Sequence, residues 1–362
     1  MTEATLSQTA IFSARPAIHI AGQPDERVTA QLTSMRMEES EGGMSTLELH
    51  LSDWVATGNG GAEIAFDAQS ALRLGADLQV GTGDAAAPVE IFRGKVSAIE
   101  MVCNYGQPPE LVVLAEDALT GARRARRSKV YAAMAPSDVF RAVAADLGLL
   151  PTVSGLGAPT ATWVQLNETD LGFLRRLAAR VDADLQINGT ALTVTPRQDV
   201  QRGTIDLTLN SQLARVRVSA DLADQVTGTT SAGWNPQQGS PVSGSASAIT
   251  HGGPGSGTSG VDLARAWFDT RSEHVGAIVV SSDDEAQAVA EAALDQRARR
   301  FVRAQGTAEG NARMRVGAHV RLSGVSVQFD NTYYLVQACH LFDMQQGYRT
   351  EFRAECAYLA TP

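Results

Sequence analysis

Residues 165–177 read Gln-Leu-Asn-Glu-Thr-Asp-Leu-Gly-Phe-Leu-Arg-Arg-Leu, and this stretch decides the fold. Asn167 is a good helix N-cap, and Asp170 can act as its capping-box partner at the positive end of the helix dipole. One face of the following helix is apolar, with residues at helical spacing: Leu171, Leu174, Ala178 and Val181. The other face carries Arg175, Arg176 and Arg180, which we interpret as surface or intersubunit contacts.

The neighbouring sequence extends this helix into a small α+β unit. Pro136 and Ser137 favour the start of an earlier helix, which Gly148 ends. The turn pair Asn188-Gly189 lies between two apolar segments of residues 184–195 and predicts a β-hairpin. Two helices and a hairpin therefore form a predicted α+β domain over residues 123–200, which we call the insert.

A basic cluster lies at the start of the insert. Its members are Arg123, Arg124, Arg126, Arg127 and Lys129. Two interpretations are open: a contact with an anion or an acidic partner, or a solvated linker.

Short apolar segments separated by turn residues fill the sequence before the insert. Leu47, Leu49 and Leu51 alternate with polar residues, as in a strand with one buried face. Further segments of this kind follow at roughly ten-residue spacing. Residues 1–122 are therefore predicted to form a first small β-barrel domain.

Strand-like alternation returns after the insert and predicts a second β-barrel domain over residues 201–362. Residues 237–260 are rich in Gly, Ser and Pro, which favours a loop, and residues 283–302 have the pattern of a helix. The predicted fold is thus a β-rich α+β protein with two small β-barrel domains and an inserted α+β domain.

Composition limits the class of protein. The chain has 362 residues and a net charge of −10, which argues against specific nucleic acid binding as its main task. Residues 1–12 lack the pattern of a signal peptide, and no run approaches the ~20 apolar residues of a membrane span. Three cysteines without C-x-x-C spacing predict free thiols. We therefore expect folding in the bacterial cytoplasm.

No pattern of catalytic, cofactor-binding or metal-ligating residues emerges. Residues 255–260 match G-x-G-x-x-G, but the βαβ context of a dinucleotide site is missing. The six histidines lack the short spacings of a metal site. Cys339 and His340 are adjacent in a predicted strand, which sends their side chains to opposite faces and predicts a core thiol and a surface imidazole. We predict no catalysis, no cofactor and no metal.

The opening stretch resembles the phage late control D family, the baseplate hub proteins of contractile tails and injection systems, and is similar to the hub part of VgrG-type proteins. Supporting marks are Gly233-Trp-Asn-Pro and Gly347-Tyr-x-Thr-x-Phe. The resemblance covers roughly residues 120–358. The positions that carry it are fold-signature or interface candidates: Asn167, Asp170, Phe173, Arg175, Arg176, Trp234 and Tyr348.

The resemblance implies a structural hub, a homotrimer whose six barrels match the hexameric inner tube on one side and a trimeric spike on the other. Its partners are then the inner tube or tube-initiator protein, the spike and the baseplate wedge proteins. VgrG-type chains continue past the hub, whereas this chain ends at Pro362, so we expect a separate spike protein. The net acidity suggests a negatively charged channel surface. The alternatives are a tail-associated cell-wall hydrolase and a carbohydrate-binding β protein.

Overall fold

The computed structural model describes residues 15–56, 62–66, 70–83, 87–268, 270–276 and 278–361. Residues 1–12, which lack a signal-peptide pattern, lie outside this part. The helices of the described chain are α1 (Glu26–Gln31), α2 (Pro136–Asp146), α3 (Asp170–Arg180), α4 (Gly260–Trp267) and α5 (Asp283–Arg299). Short 3-10 helices span Ala118–Arg123 and Arg197–Asp199. No helix of the described residues combines the length and apolar composition needed to cross a membrane.

The strands outnumber the helices. In the first part of the chain they are β1 (Ala17–Ile20), β2 (Gln23–Pro24), β3 (Leu32–Ser40), β4 (Ser45–Ser52), β5 (Trp54–Ala56), β6 (Ala62–Ile64), β7 (Asp77–Thr82), β8 (Val89–Val102) and β9 (Glu110–Glu116). The insert contains β10 (Arg126–Met134), β11 (Leu150–Val153), β12 (Ala161–Thr169), β13 (Ala183–Asn188) and β14 (Ala191–Pro196).

The last part of the chain is also mostly strands. They are β15 (Thr204–Thr208), β16 (Leu213–Ala220), β17 (Gly228–Asn235), β18 (Ser240–Ala246), β19 (Thr258–Ser259), β20 (Ser272–His274), β21 (Val302–Glu309), β22 (His319–Ser323), β23 (Thr332–Asp343), β24 (Gly347–Cys356) and β25 (Tyr358–Leu359). We call strands β1–β9 the first β unit and strands β15–β25 with α4 and α5 the second β unit.

One sheet of 13 strands runs through both β units, in the order β16-β21-β24-β23-β3-β4-β9-β8-β7-β1-β2, with β22 and β15 attached to β23. The junction is the antiparallel pairing of β23 with β3, from Gln337 opposite Ser40 to Asp343 opposite Ser34. The protein is therefore β-rich, as predicted. Two separate barrels are not confirmed, because the described strands form an open path shared by both halves.

Alternation along the strands explains why one face of this sheet is buried. Leu47, Leu49 and Leu51 of β4 are 0–2% exposed, whereas the residues between them are partly accessible. The core of the first β unit also includes Phe342 and Tyr348 from the second. The two β units thus share apolar packing as well as backbone hydrogen bonds.

The second β unit departs from the sequence prediction in two elements. Residues 237–260 are not a single loop, since β18 pairs with β17 and β19 with β25. The small Gly and Ser side chains let this hairpin lie close under α5, with Gly244 facing the helix backbone. Helix α5 covers 283–299 rather than 283–302, because Val302 already begins β21.

The insert has its own core, built by α2, α3 and the strands between and after them. Helix α2 begins at Pro136 and ends before Gly148, as predicted, and it buries Val139, Phe140 and Val143. The predicted hairpin is also confirmed, with β13 and β14 pairing antiparallel. The basic cluster is not a linker: from Arg126 onward it belongs to β10, which pairs with β12.

Candidate functional site

The N-cap residue of α3 differs from the predicted one. Thr169, not Asn167, is the N-cap, and its hydroxyl accepts a hydrogen bond from the Gly172 amide at 3.1 Å. Asn167 lies in β12 with φ 49°, a left-handed conformation that Asn tolerates better than most residues. Its amide donates to Ser128 Oγ at 3.1 Å. The sequence between 161 and 169 is therefore a strand that leads directly into the helix.

Asp170 is the first residue of α3, and its side chain is almost fully buried. Arg127 Nη2 lies 2.9 Å from one carboxylate oxygen, and Gln165 Nε2 donates to the other at 2.9 Å. A buried carboxylate needs such partners, because burial without them is costly. Asp170 thus joins β10, β12 and α3 instead of forming a capping box or an intersubunit contact.

Phe173 belongs to the core of the insert rather than to its surface. Its ring is 1% exposed and stacks on Tyr131 with centroids 5.5 Å apart. Leu174 and Leu177 are buried beside it. Phe173 is therefore part of the fold signature and is inaccessible as an interface residue.

Arg175 connects the insert to the first β unit. Its Nε donates to the Gly42 carbonyl at 3.0 Å and its Nη2 to the Gly43 carbonyl at 2.9 Å. Both glycines lie in the turn between β3 and β4, and both have positive φ. The fork of one guanidinium group thus satisfies two carbonyls of the turn that ends the β3 strand.

The two other arginines of α3 also bind within the chain. Arg176 pairs with Glu168 at 2.5 Å. Arg180 is 13% exposed and forms an ion pair with Glu285, which lies in the first turn of α5. The predicted intersubunit role is therefore not needed to explain them, because α3 uses its arginines to hold both β units.

A buried charge cluster strengthens this junction, and no pattern in the sequence predicted it. Arg197 Nη2 lies 2.8 Å from Glu355, Arg197 Nε lies 2.5 Å from Glu41, and the guanidinium carbon is 3.9 Å from the Tyr334 ring centroid. These residues come from the insert, the second β unit and the end of β3. The only local signal was an arginine directly after an apolar hairpin strand.

A second buried pair anchors β3 to the second β unit. Glu39 lies 2.6 Å from Arg315 Nη2 and also accepts a hydrogen bond from the Val316 amide. Burial by itself raises the pKa of Glu39, but the charge and hydrogen bonds of Arg315 outweigh this and lower it. Glu39 is therefore ionised and structural, unlike a catalytic acid.

Tyr348, predicted as a fold-signature or interface candidate, is a core residue of this chain. It is 3% exposed and accepts from Thr82 Oγ1 at 3.0 Å, while its hydroxyl lies 2.7 Å from His340 Nδ1. His340 is fully buried, so the predicted surface imidazole is also wrong. Burial lowers the pKa of His340 to about 4 and keeps it neutral. The reason is that His340 lies on the core face of β23, where it contacts the buried side chains of Tyr348 and Thr350.

Among the aromatic sequence candidates, Phe173, Trp234 and Tyr348, it is Trp234 whose side chain is largely accessible. It lies in β17 and is 56% exposed. Its amide donates to the Val280 carbonyl at 3.3 Å, which fixes the backbone beside α5. The indole is therefore free to contact another molecule.

The glycine-rich motif of residues 255–260, which matches a dinucleotide-binding pattern, packs against other parts of the same chain. A Cβ on Gly257 would collide with the Leu359 carbonyl, and one on Gly260 would collide with Phe301. The close backbone approach that these glycines permit is thus used for packing against β25 and against Phe301, which lies between α5 and β21. The described residues contain no group of three or more His, Cys, Asp or Glu side chains placed to hold a metal ion.

Solved structures with the same fold are tail and secretion proteins. A 43 kDa tail protein of prophage MuSo2 from Shewanella oneidensis is 10% identical, with a TM-score of 0.67 over 94% of this chain and 97% of that one. A tail protein from Neisseria meningitidis MC58 is 12% identical, with a TM-score of 0.61 over 94% and 96%.

A third structure is an E. coli protein described as a component of the type VI secretion system with structural similarity to T4 bacteriophage tail proteins gp27 and gp5. It is 12% identical, with a TM-score of 0.55 over 95% of this chain and 79% of that one. At these identities the likeness establishes the fold, which is that of tail hub-type proteins.

No curated protein matches the sequence. A family model, described as the Alg8 N-terminal domain, matches residues 17–343, and this is most of the chain. The match spans the first β unit, the insert and the second β unit through β23. This chain is a member of the Alg8 N-terminal domain family.

Proposed function

We propose that this protein is a structural baseplate hub of a contractile tail or injection machine, of the late control D type, and that it performs no catalysis. The observation that carries the proposal is a structural similarity to a prophage tail protein of nearly equal size. This similarity covers 94% of the present chain. A catalytic alternative has less support, because the buried carboxylates Glu39 and Asp170 are held by arginines.

The proposed hub is a homotrimer with three domains per chain, residues 1–122, 123–200 and 201–362. Three chains present six β units to the hexameric inner tube and a three-fold surface to a separate trimeric spike. An adaptor between two such partners has to keep its β units fixed relative to each other. The pairing of β3 with β23 and the ion pairs of Arg197 supply that rigidity.

The proposed partners are the inner tube or tube-initiator protein, the spike and the baseplate wedge proteins. Assembly takes place in the bacterial cytoplasm, and the product is part of a phage tail baseplate or a contractile injection particle. Trp234 is the contact candidate that fits this role best, because it is large, aromatic and 56% exposed.

Light scattering and native mass spectrometry of the full chain test the proposal. The expected particle has three times the chain mass of 38.3 kDa and co-elutes with the inner tube protein of the same particle. A monomer that clears peptidoglycan would instead identify a cell-wall hydrolase. A monomer that binds polysaccharide without assembling would identify a carbohydrate-binding protein.

A further inference from the structure

A groove of about 430 Å³ lies on the solvent-facing side of the 13-stranded sheet. Its walls carry the guanidinium groups of Arg36, Arg215, Arg217 and Arg353. The groove crosses the junction between the two β units, since Arg36 belongs to β3 and the other three belong to β16 and β24. The proposed hub function does not require this groove.

Strand register explains why these arginines share one face. Arg217 is opposite Gln305 of β21, and Gln305 is opposite Arg353 of β24. Arg215 is two positions before Arg217 and therefore points to the same side. The alternate residues of β24, such as Phe352, are buried on the other side. The positive face is thus dictated by the pairing of neighbouring strands.

Most of the arginines in the groove have no carboxylate partner within the described part of the chain. Arg36 pairs with Glu38 at 2.7 Å, but no carboxylate of the described residues lies within ion-pair distance of Arg215, Arg217 or Arg353. Glu351 is the single carboxylate in the groove wall. A chain of net charge −10 thus concentrates unpaired positive charge in one place, which favours an anionic ligand.

The arrangement fits a linear polyanion better than a single small anion. Arg215 and Arg217 are two residues apart on one strand, so their Cα atoms are separated by about 6.8 Å. Arg353 lies two strands further, at about 9.6 Å from the Arg217 strand. Each guanidinium group can bind phosphate oxygens in a bidentate manner. A row of such groups contacts successive charges along a chain.

The groove lacks the apolar centre that a protein partner requires. Stable protein interfaces place aromatic or aliphatic anchors at their core. The apolar members of the groove wall are Phe352 and Cys339, which are 3% and 4% exposed, so neither offers an accessible apolar surface to a partner. Phosphate contacts need charge and polar donors only, and Gln305 supplies an additional amide. We propose that this groove binds the phosphodiester backbone of a nucleic acid strand without reading its sequence.

Fluorescence anisotropy with the full chain tests this inference separately from the hub function. The probes are labelled thirty-nucleotide oligo-dT and a labelled duplex of the same length. If all four arginines contact phosphates, Kd rises by about 150-fold for the duplex and about 50-fold for the single strand between 50 and 200 mM salt. An absence of binding at 50 mM salt would overturn the proposal.

A charge-matched pair of variants identifies the groove as the binding site. The triple variant Arg215→Ser, Arg217→Ser, Arg353→Ser is expected to reduce the salt dependence to that of about one phosphate contact. The control, Arg141→Ser, Arg265→Ser, Arg321→Ser, removes the same charge from exposed ion pairs elsewhere and should bind like the parent. Equal losses in both variants would show that net charge, not the groove, is responsible.

Two further outcomes distinguish the ligand class. Poly-glutamate should compete poorly at equal charge concentration, and competition as strong as that of unlabelled DNA would point to an acidic peptide instead. The triple variant should keep the oligomeric state of the parent in sedimentation velocity. A change in that state would mean that a second copy of the chain covers the groove.

Discussion

Arg299 Nη1 lies 2.9 Å from Asp182 Oδ2, and this contact joins the end of α5 to the residue pair that follows α3. Arg299 is 4% exposed and also donates to the His251 carbonyl at 3.1 Å. We expect Arg299→Ala to lower the free energy of unfolding by about 2 kcal/mol, because it leaves the partly buried Asp182 carboxylate and the His251 carbonyl without this partner. Urea denaturation followed by tryptophan fluorescence measures the change.

The matched control for Arg299 is Arg321→Ala, which removes an exposed ion pair with Asp206 at 3.0 Å. Its expected cost is below about 1 kcal/mol. Equal costs for the two variants would show that the contact between α5 and the insert contributes nothing beyond an ordinary surface pair.

Leu174→Asp should unfold the insert. Leu174 is 0% exposed and lies within the insert core, so the substitution places a carboxylate among apolar side chains at a cost of several kcal/mol. Limited proteolysis of the insert reports the loss. Ala179→Asp, at an exposed position of the same helix, should remain resistant. Normal assembly of the Leu174 variant would contradict the packing of α3.

Acid should destabilise the protein through His340. The buried ring has a pKa of about 4, against 6.5 in the unfolded chain. Below pH 6.5 the unfolded chain therefore binds more protons, and stability falls as pH decreases toward 4. The loss between pH 7.5 and 4 is about 3 kcal/mol for this group.

Thermal melting across that pH range isolates the histidine contribution. His340→Asn should show a shallower decline in Tm below pH 6.5 than the parent, although its Tm at pH 7.5 is lower because Tyr348 loses its partner. His274→Asn, at an exposed position, should keep the parental slope. Identical slopes in all three proteins would exclude His340 as the titrating group.

Gly43 is predicted to be essential for packing between the first β unit and the insert. A Cβ there would lie 2.5 Å from Leu185 Cδ2 and 2.7 Å from Leu119 Cδ1, both buried, and φ is +72°. Gly43→Ala should cost about 3 kcal/mol through strain and overpacking. Gly22→Ala has a similar φ of +78° in open space and should cost about 1 kcal/mol. Equal Tm losses would show that backbone strain alone matters.

Local signals in the sequence predicted the local elements well. Pro136 and Gly148 delimit α2, and Asn188-Gly189 marks the hairpin, because caps and turns depend on residues a few positions apart. The N-cap was assigned wrongly because both Asn167 and Thr169 are good capping residues. Only the backbone, extended at Thr169 and left-handed at Asn167, distinguishes them.

Contacts distant in sequence could not be predicted in the same way. Arg197 meets Glu41 and Glu355 because three parts of the chain converge, and no spacing in the sequence encodes that meeting. Alternation placed Tyr348 on a strand but could not say whether the face it occupies is covered. The candidate groove was missed for the same reason, since its arginines are adjacent only across strands.

The pairing of β3 with β23 also affects how the protein is made. Glu38 emerges from the ribosome roughly 300 residues before its neighbour Gln337, and at 5–20 residues per second this interval is about 15–60 s. During this time one edge of β3 has no partner, so the nascent chain exposes an unfinished sheet. High contact order thus makes completion of this sheet a late folding step. A ribosome that stalls before β23 releases a chain that cannot complete the sheet.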